Sequence, residues 1–383
     1  MIVTKLSLKN WKNFREVDIH LRERTFVVGS NAAGKSNLLD VFRFLRDMSK
    51  PVNGGLQSAV NGVRGGLANI RCVNARNPSR IEIEVELGLS DKQPIWRYQL
   101  GLDRERGGKN RVLVSYEKVW GHGQLLLDRP NSKLGEEDDK EKMTVTHLES
   151  ATTNETFREV SDFFQQVSYL HLVPQLLRSV ESKKTDSEGE DYYGRNFLVR
   201  IAKTPERIRK SRLKRLEEAL RVAVPQFSQI EDTKDEAGMP HLKARLRHWR
   251  ESGKWMNEEH FSDGTIRLIG LCWALMESDS LMLLEEPELS LNDRIVSQLP
   301  ALFWKLQASK GRQVLLSTHS YSLLSDPGIQ PEEVIILHPG AEGTTVSSAA
   351  DHKDVLALIK GGMSIGQAIL PITDPENIAD LSL

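Results

Sequence analysis

The 383-residue sequence predicts an α/β fold with a mixed, mainly parallel sheet built around a phosphate loop, an antiparallel β subdomain and a helical insert. Three observations carry this expectation. An apolar strand over residues 25–28 runs into a turn bounded by Gly29 and Gly34, and a helical pattern (Leu38, Leu39, Val41, Phe42, Leu45) leaves it. From Ile81 onward, four segments alternate apolar and polar residues at period two, as half-buried antiparallel strands do. The last third alternates strand and helix patterns in the manner of a parallel sheet.

Taken in order, the N-terminus alternates Ile2, Leu6 and Leu8 with Lys5, Ser7 and Lys9, which predicts a strand and not a leader peptide. Residues 1–50 read as two short strands, the turn and its helix. Glycines at 54, 55, 62, 65 and 66 predict loop with a short helix. Strands are expected over 81–87, 95–102, 112–120 and 124–128, joined by turns such as Arg106-Gly107-Gly108. Residues 131–142 are acidic and polar, and predict an exposed hairpin or mobile loop. A strand over 167–173 ends at Pro174-Gln175. Residues 182–194 are charged and rich in small residues, the composition of a disordered loop. Pro205 is placed in the first turn of a helix over 206–222. The expected division is an N-terminal part with phosphate loop and β subdomain (1–180), a helical insert (181–260) and a C-terminal part (261–383).

Composition narrows the partners. Net charge is −1 with 27% charged residues, so no global field draws the chain to nucleic acid or membrane. Cys72 and Cys272 are too few for a disulfide framework, which fits a reducing compartment. No apolar run approaches the roughly 20 residues of a membrane span. A cytoplasmic protein without membrane contact is expected.

The turn reads Gly29-Ser30-Asn31-Ala32-Ala33-Gly34-Lys35-Ser36, followed by Asn37, the complete G-x-x-x-x-G-K-[ST] pattern between strand and helix. Its backbone N–H groups and the helix N-terminus form an anion cradle. Lys35 reaches β- and γ-phosphates, and Ser36 offers its hydroxyl to Mg²⁺. Residues 280–288 form an apolar strand that ends in Glu285 and Glu286; an α/β sheet places metal and phosphate chemistry at that edge. Glu285 suits a Mg²⁺ ligand, and Glu286 suits orientation or deprotonation of an attacking water. Leu315-Leu316-Ser317-Thr318-His319 repeats the arrangement, with His319 able to sense a γ-phosphate. Phe261-Ser262-Asp263-Gly264-Thr265 precedes an apolar helix and forms a second anion site, about 230 residues beyond the first.

Together these segments resemble the ABC-type ATPases. Gly29 to Ser36 matches their Walker A, and Ser262-Asp263-Gly264-Thr265 resembles their signature, with aspartate and threonine where transporters carry glycine and glutamine. Leu281 to Glu286 resembles Walker B with the catalytic glutamate, although Glu285 replaces the usual aspartate. Leu289-Ser290-Leu291-Asn292 falls at the D-loop, His319 at the switch histidine, and Val173-Pro174-Gln175 at the Q-loop, where Gln175 would reach the metal. The resemblance implies ATP and Mg²⁺ as cofactors. It also implies a homodimer in which each ATP lies between Walker A of one copy and Ser262 and Gly264 of the other.

The long gap between Walker A and signature, and the absence of sustained heptads, leave a chain similar to the compact RecF/OLD-like group of ABC-type ATPases. The opening Leu6-Ser7-Leu8-Lys9-Asn10-Trp11-Lys12-Asn13-Phe14-Arg15 and the tail Gly362-Met363-Ser364-Ile365-Gly366 agree. That group acts in DNA repair, chromosome maintenance and phage defence. Only 64 residues follow His319, without the acidic pattern of a Toprim nuclease, so an effector or nuclease is expected as a separate protein encoded nearby. Two basic runs lie in the insert: Lys203, Arg207, Arg209, Lys210, Arg212, Lys214 and Arg215, then Lys243, Arg245, Arg247 and Arg250 with His248 and Trp249. They read either as a DNA-phosphate surface or as a solvated helix face paired with Glu206, Glu217 and Glu218. Two other functions compete with an ATP-driven gate: an ATP-binding scaffold that sequesters a toxic effector with little turnover, and a transporter energy subunit.

Overall fold

The computed structural model describes residues 1–373 except 77–78, 91–92, 106–110, 131–138, 179–190, 248–253 and 278–279. The chain opens with β1 (Ile2–Trp11), β2 (Phe14–His20), β3 (Arg24–Val28) and α1 (Lys35–Ser49). A short α2 (Leu67–Ile70) precedes β4 (Ile81–Gly88), β5 (Pro94–Arg104), β6 (Val112–Gly121) and β7 (Gln124–Arg129). Then come α3 (Arg158–Gln165), β8 (Ser168–Leu170), α4 (Pro174–Arg178), α5 (Phe197–Lys203) and α6 (Glu206–Ala223). A meander of β9 (Phe227–Lys234), β10 (Pro240–Leu246) and β11 (Lys254–Asn257) leads to α7 (Asp263–Glu277) and β12 (Met282–Glu285). The chain continues through α8 (Asp293–Val296), α9 (Leu299–Lys310), β13 (Val314–Ser317), β14 (Val334–His338), β15 (Thr345–Ser348), α10 (Lys353–Lys360) and α11 (Ile365–Thr373).

Three sheets result. The first is antiparallel, in the order β2-β1-β4-β5-β6-β7. The second is the small meander β11-β10-β9. The third, in the order β15-β14-β3-β13-β12-β8, is parallel except for β15 at its edge. Its inner strands β14, β3, β13 and β12 are buried on both faces, which explains their largely apolar runs. Val27, Leu283 and Leu315 enter one core with α1 and the antiparallel sheet. Phe26, Val28, Leu284 and Leu316 enter a second core with α7 and α11. Gln313 ties the two larger sheets: it accepts from Val3 N at 2.8 Å and donates to Val3 O at 2.7 Å and Arg22 O at 2.9 Å.

Several expectations shift in detail. The strand expected over 167–173 is only β8, because Pro174 opens α4 instead of ending a strand. Pro205 sits at the N-cap of α6, with φ −50° and ψ 137°, one residue before the helical turn. The expected disordered loop over 182–194 falls outside the described residues up to 190. Its end is ordered, however: His171 and Val173 donate backbone hydrogen bonds to Tyr192 and Tyr193. The turn 106–108 and most of the acidic stretch 131–142 lie outside the described residues. Among the described residues no helix is long and apolar enough to cross a membrane.

Candidate functional site

Because β3, β13 and β12 are neighbours, their C-terminal ends share one edge of the parallel sheet. That edge gathers the turn at Gly29–Ser36, Thr318 and His319, and Glu285 to Glu288. Gly29 (φ 154°), Ala32 (φ 61°) and Gly34 (φ 100°) give the turn its reversal of direction. Lys35 is buried and donates to the carbonyls of Gly29 and Ser30, both at 3.1 Å. Burial draws its ammonium below the usual range, while Glu286, Glu285 and Glu288 oppose that shift.

Ser36 Oγ donates to Glu285 Oε1, and Tyr169 Oη donates to Glu285 Oε2. Glu286 adopts a left-handed backbone (φ 44°), held by its own N–H on Ser317 O at 3.0 Å and by the buried Arg267 on its carbonyl at 3.0 Å. Such backbone costs on the order of 1–3 kcal/mol and turns the side chain away from the strand direction. The Glu286 carboxylate faces His319 Nε2 at 3.5 Å. Burial and then Lys35 push the His319 imidazole below its ordinary value, with Glu286 opposing. Glu288 lies beneath: it accepts from Thr318 Oγ1 at 2.6 Å and from His319 N at 3.1 Å. Burial raises the Glu288 carboxyl.

The opening segment supports the turn from behind. Asn13 Nδ2 donates to Ala33 O at 2.9 Å and Thr344 Oγ1 at 2.7 Å, while its Oδ1 accepts from Asn37 at 2.8 Å. Trp11 Nε1 donates to Asn37 O at 3.0 Å. A Cβ on Gly34 would lie 2.0 Å from Asn13 Nδ2. Gly34→Ala therefore combines left-handed strain with a clash against an anchored side chain. An expected loss of about 2–4 kcal/mol is readable as a lower urea midpoint; an unchanged midpoint would contradict this packing. Beside Ala32 and Asn37 opens a cavity of about 590 Å³, lined also by Lys12, Arg71 and Asn74.

The signature-like segment stands apart from this edge. Ser262 is exposed; its hydroxyl bonds Thr265 Oγ1 at 2.8 Å and accepts from Thr265 N at 3.3 Å, as the cap of α7. Arg178 of α4 fixes the segment through Phe261 O at 2.7 Å and Asp263 at 2.6 Å. Gly264 packs on residues 289–292: a Cβ there would lie 2.4 Å from Ser290 O. Among the described residues no hydrogen bond or ion pair joins Ser262 or Gly264 to the turn at Gly29–Ser36. Nor does the fold bring Gln175 to Glu285. Gln175 is exposed on α4 and has no side-chain partner among the described residues; Tyr169 reaches Glu285 instead.

The family whose description reads "AAA domain, putative AbiEii toxin, Type IV TA system" matches residues 24–325. The chain belongs to this AAA-domain family. Its matched region takes in every segment at the sheet edge just described. Over 79 residues, 21% of the chain, this AAA-domain protein is also 29% identical to the energy-coupling factor transporter ATP-binding protein EcfA2 of Bacillus cereus. It spans about a quarter (26%) of that relative's length. Among solved structures it is similar to an SMC head bound to the C-winged helix domain of ScpA, with TM-score 0.55 and 14% identity over 91% of this chain and 98% of that one. An SMC head with an extended coiled coil, bound to the C-terminal domain of ScpA from Pyrococcus furiosus, gives TM-score 0.51 and 13% identity over 94% and 99%. These likenesses show the fold alone: the AAA-domain protein is folded as an SMC head is.

Sequence reasoning did not single out Tyr169, Asn13, Arg267 or Glu288 as parts of the site. Asn13 stood inside the quoted opening segment and Glu288 inside the acidic run. Tyr169 and Arg267 look like ordinary members of a strand and a helix. Within the basic runs, Arg209 is committed to Asp232 at 3.0 Å and to the carbonyls of Ala202 and Thr204. Arg212 stacks over Trp273, 5.4 Å from its centroid. Lys210–Glu206 and Arg221–Glu217 form the i,i+4 pairs of a solvated helix face. Lys203, Arg207, Lys214 and Arg215 are exposed without an ion pair among the described residues. His248, Trp249 and Arg250 lie outside the described residues.

Proposed function

We propose that this AAA-domain protein binds ATP with Mg²⁺ and hydrolyses it, and that two copies close on the nucleotide. The observation that carries the reading is the meeting of Lys35, Ser36, Glu285, Glu286 and His319 at one sheet edge, beside a turn whose backbone donors stand ready for phosphate. Ser36 and Glu285 fit a hard cation, since a hydroxyl and a carboxylate oxygen already converge there. Among the described residues no group of three or more His, Cys, Asp and Glu is placed to hold a metal ion. Ser36 and Glu285 would therefore hold a Mg²⁺ together with oxygens of phosphate and water, which this ion prefers. Bound there, the ion would supply positive charge against the charge that develops during phosphoryl transfer.

The chain's own groups do the rest. Lys35 exchanges two loop carbonyls for phosphate oxygens, and the turn's N–H groups hold the polyphosphate. The nucleoside end occupies the cavity beside Ala32 and Asn37. Glu286 is the carboxylate that orients water and takes its proton, and its left-handed backbone aims it toward His319. Neutral His319 has an N–H to donate to the transferred phosphoryl. The exposed Ser262 and the half-buried Gly264, at the N-terminus of α7, serve the nucleotide of the second copy.

Closure and reopening of the heads gate DNA or a separately encoded effector, in phage defence or DNA maintenance. Slow turnover would favour the scaffold reading of the same residues. DNA contact falls to Arg207, Lys214 and Arg215; their reversal to glutamate is expected to remove ATP-dependent, salt-sensitive DNA binding. Unchanged affinity of that triple variant would exclude this surface. The primary test is phosphate release from ATP by the purified chain with and without Mg²⁺, and its absence would overturn the hydrolase reading.

A further inference from the structure

The metal-side carboxylate is a glutamate, one methylene longer than the aspartate usual at this position of ABC-type ATPases. The extra methylene adds a rotatable bond, so a free Glu285 would sample several carboxylate positions. In the structure both of its oxygens are taken. Ser36 Oγ donates to one and Tyr169 Oη to the other.

Tyr169 is itself fixed. It lies on β8, whose parallel pairing with β12 sets Tyr169 opposite Leu283, and only 8% of its surface is exposed. The guanidinium of Arg43 stands 4.2 Å from the Tyr169 ring centroid and 4.5 Å from that of Tyr192. The two tyrosine rings meet edge to face at 5.5 Å, and Arg46 donates to Tyr192 Oη at 2.6 Å. Arg43 and Arg46 belong to α1, the helix that begins at Lys35 and Ser36. One helix thus carries the metal-side hydroxyl at its first turn and the cations that clamp the tyrosine ring further along.

We propose that Tyr169 is a positioning residue for Glu285, which lets a glutamate serve where the shorter carboxylate is usual. The proposal rests on the nucleotide-binding reading above and deepens it. Tyr169→Phe removes the hydroxyl while keeping the ring and its stacking on Arg43, so the fold is not at risk. The test is calorimetric titration of a non-hydrolysable ATP analogue into the parent chain, Tyr169→Phe, Glu285→Asp and the double variant, in Mg²⁺ and in EDTA.

Tyr169→Phe is expected to weaken binding about tenfold in Mg²⁺, the worth of one hydrogen bond to a charged group, and to leave binding in EDTA unchanged. In the Glu285→Asp background the retracted carboxylate no longer meets the phenol, so the same substitution should have no further effect. Equal losses in Mg²⁺ and EDTA, equal losses in both backgrounds, or no loss would each overturn the positioning role while parental binding stands. A parent chain that binds no analogue in either condition would overturn the nucleotide reading and the proposal together.

Discussion

Glu286→Gln is expected to lower ATP turnover by roughly 10²- to 10⁴-fold, the range lost with a positioned general base, while nucleotide affinity stays within about twofold. The geometry dictates that separation. Lys35, Ser36 and the turn's N–H groups, which would grip phosphate, do not depend on the Glu286 side chain. Its left-handed backbone is held by Ser317 O and Arg267 through main-chain atoms, and an amide of the same shape leaves those bonds intact. Only the capacity to accept a proton is removed. Single-turnover rates and equilibrium binding, measured side by side, check the claim; parallel losses in both would place Glu286 among the binding groups instead.

Lys35→Ala is expected to act on the other quantity. The ammonium is buried, and its two donors rest on loop carbonyls that can release it to phosphate oxygens without moving the backbone. Charge-assisted hydrogen bonds of this kind contribute about 1.5–3 kcal/mol each. Losing two of them should weaken ATP binding by about 100-fold or more, readable by calorimetry. The fold should survive, because the Lys35 side chain bonds only loop carbonyls and makes no ion pair within 4 Å among the described residues. Binding within about threefold of the parent would contradict the assignment of Lys35.

Lys35 was legible in the sequence because the G-x-x-x-x-G-K-[ST] spacing leaves one backbone solution between a strand and a helix, and Glu286 because it ends an apolar run of strand character at the edge where an α/β sheet places phosphate chemistry. The sheet was legible for a similar reason: period-two alternation marked β4 to β7, and uninterrupted apolar runs marked strands buried on both faces. What escaped was decided by contacts between distant segments. Tyr169 looked like core, and only the pairing of β8 with β12 places its hydroxyl on Glu285. Gln175 suited the metal by order along the chain, yet Pro174 starts a helix there and leaves it in solvent. Arg209 and Arg212 read either as DNA-phosphate contacts or as part of a solvated helix face; Asp232 and Trp273, brought in by tertiary packing, occupy them. Residues 191–194 had a disordered composition, but Tyr192 finds Arg46 and Arg43 and the backbone pairs with the segment after β8.

The exposure of Ser262, without a link to the turn at Gly29–Ser36 among the described residues, is what makes a composite site between two copies the central claim. Its most direct test is the mass of Glu286→Gln in ATP and Mg²⁺ by light scattering after size exclusion. A dimer at twice the 43.3 kDa chain mass is expected, reverting to monomer when Ser262→Arg is added although the turn still binds nucleotide. A nucleotide-loaded Glu286→Gln protein that stays monomeric, or a dimer indifferent to Ser262→Arg, would contradict it.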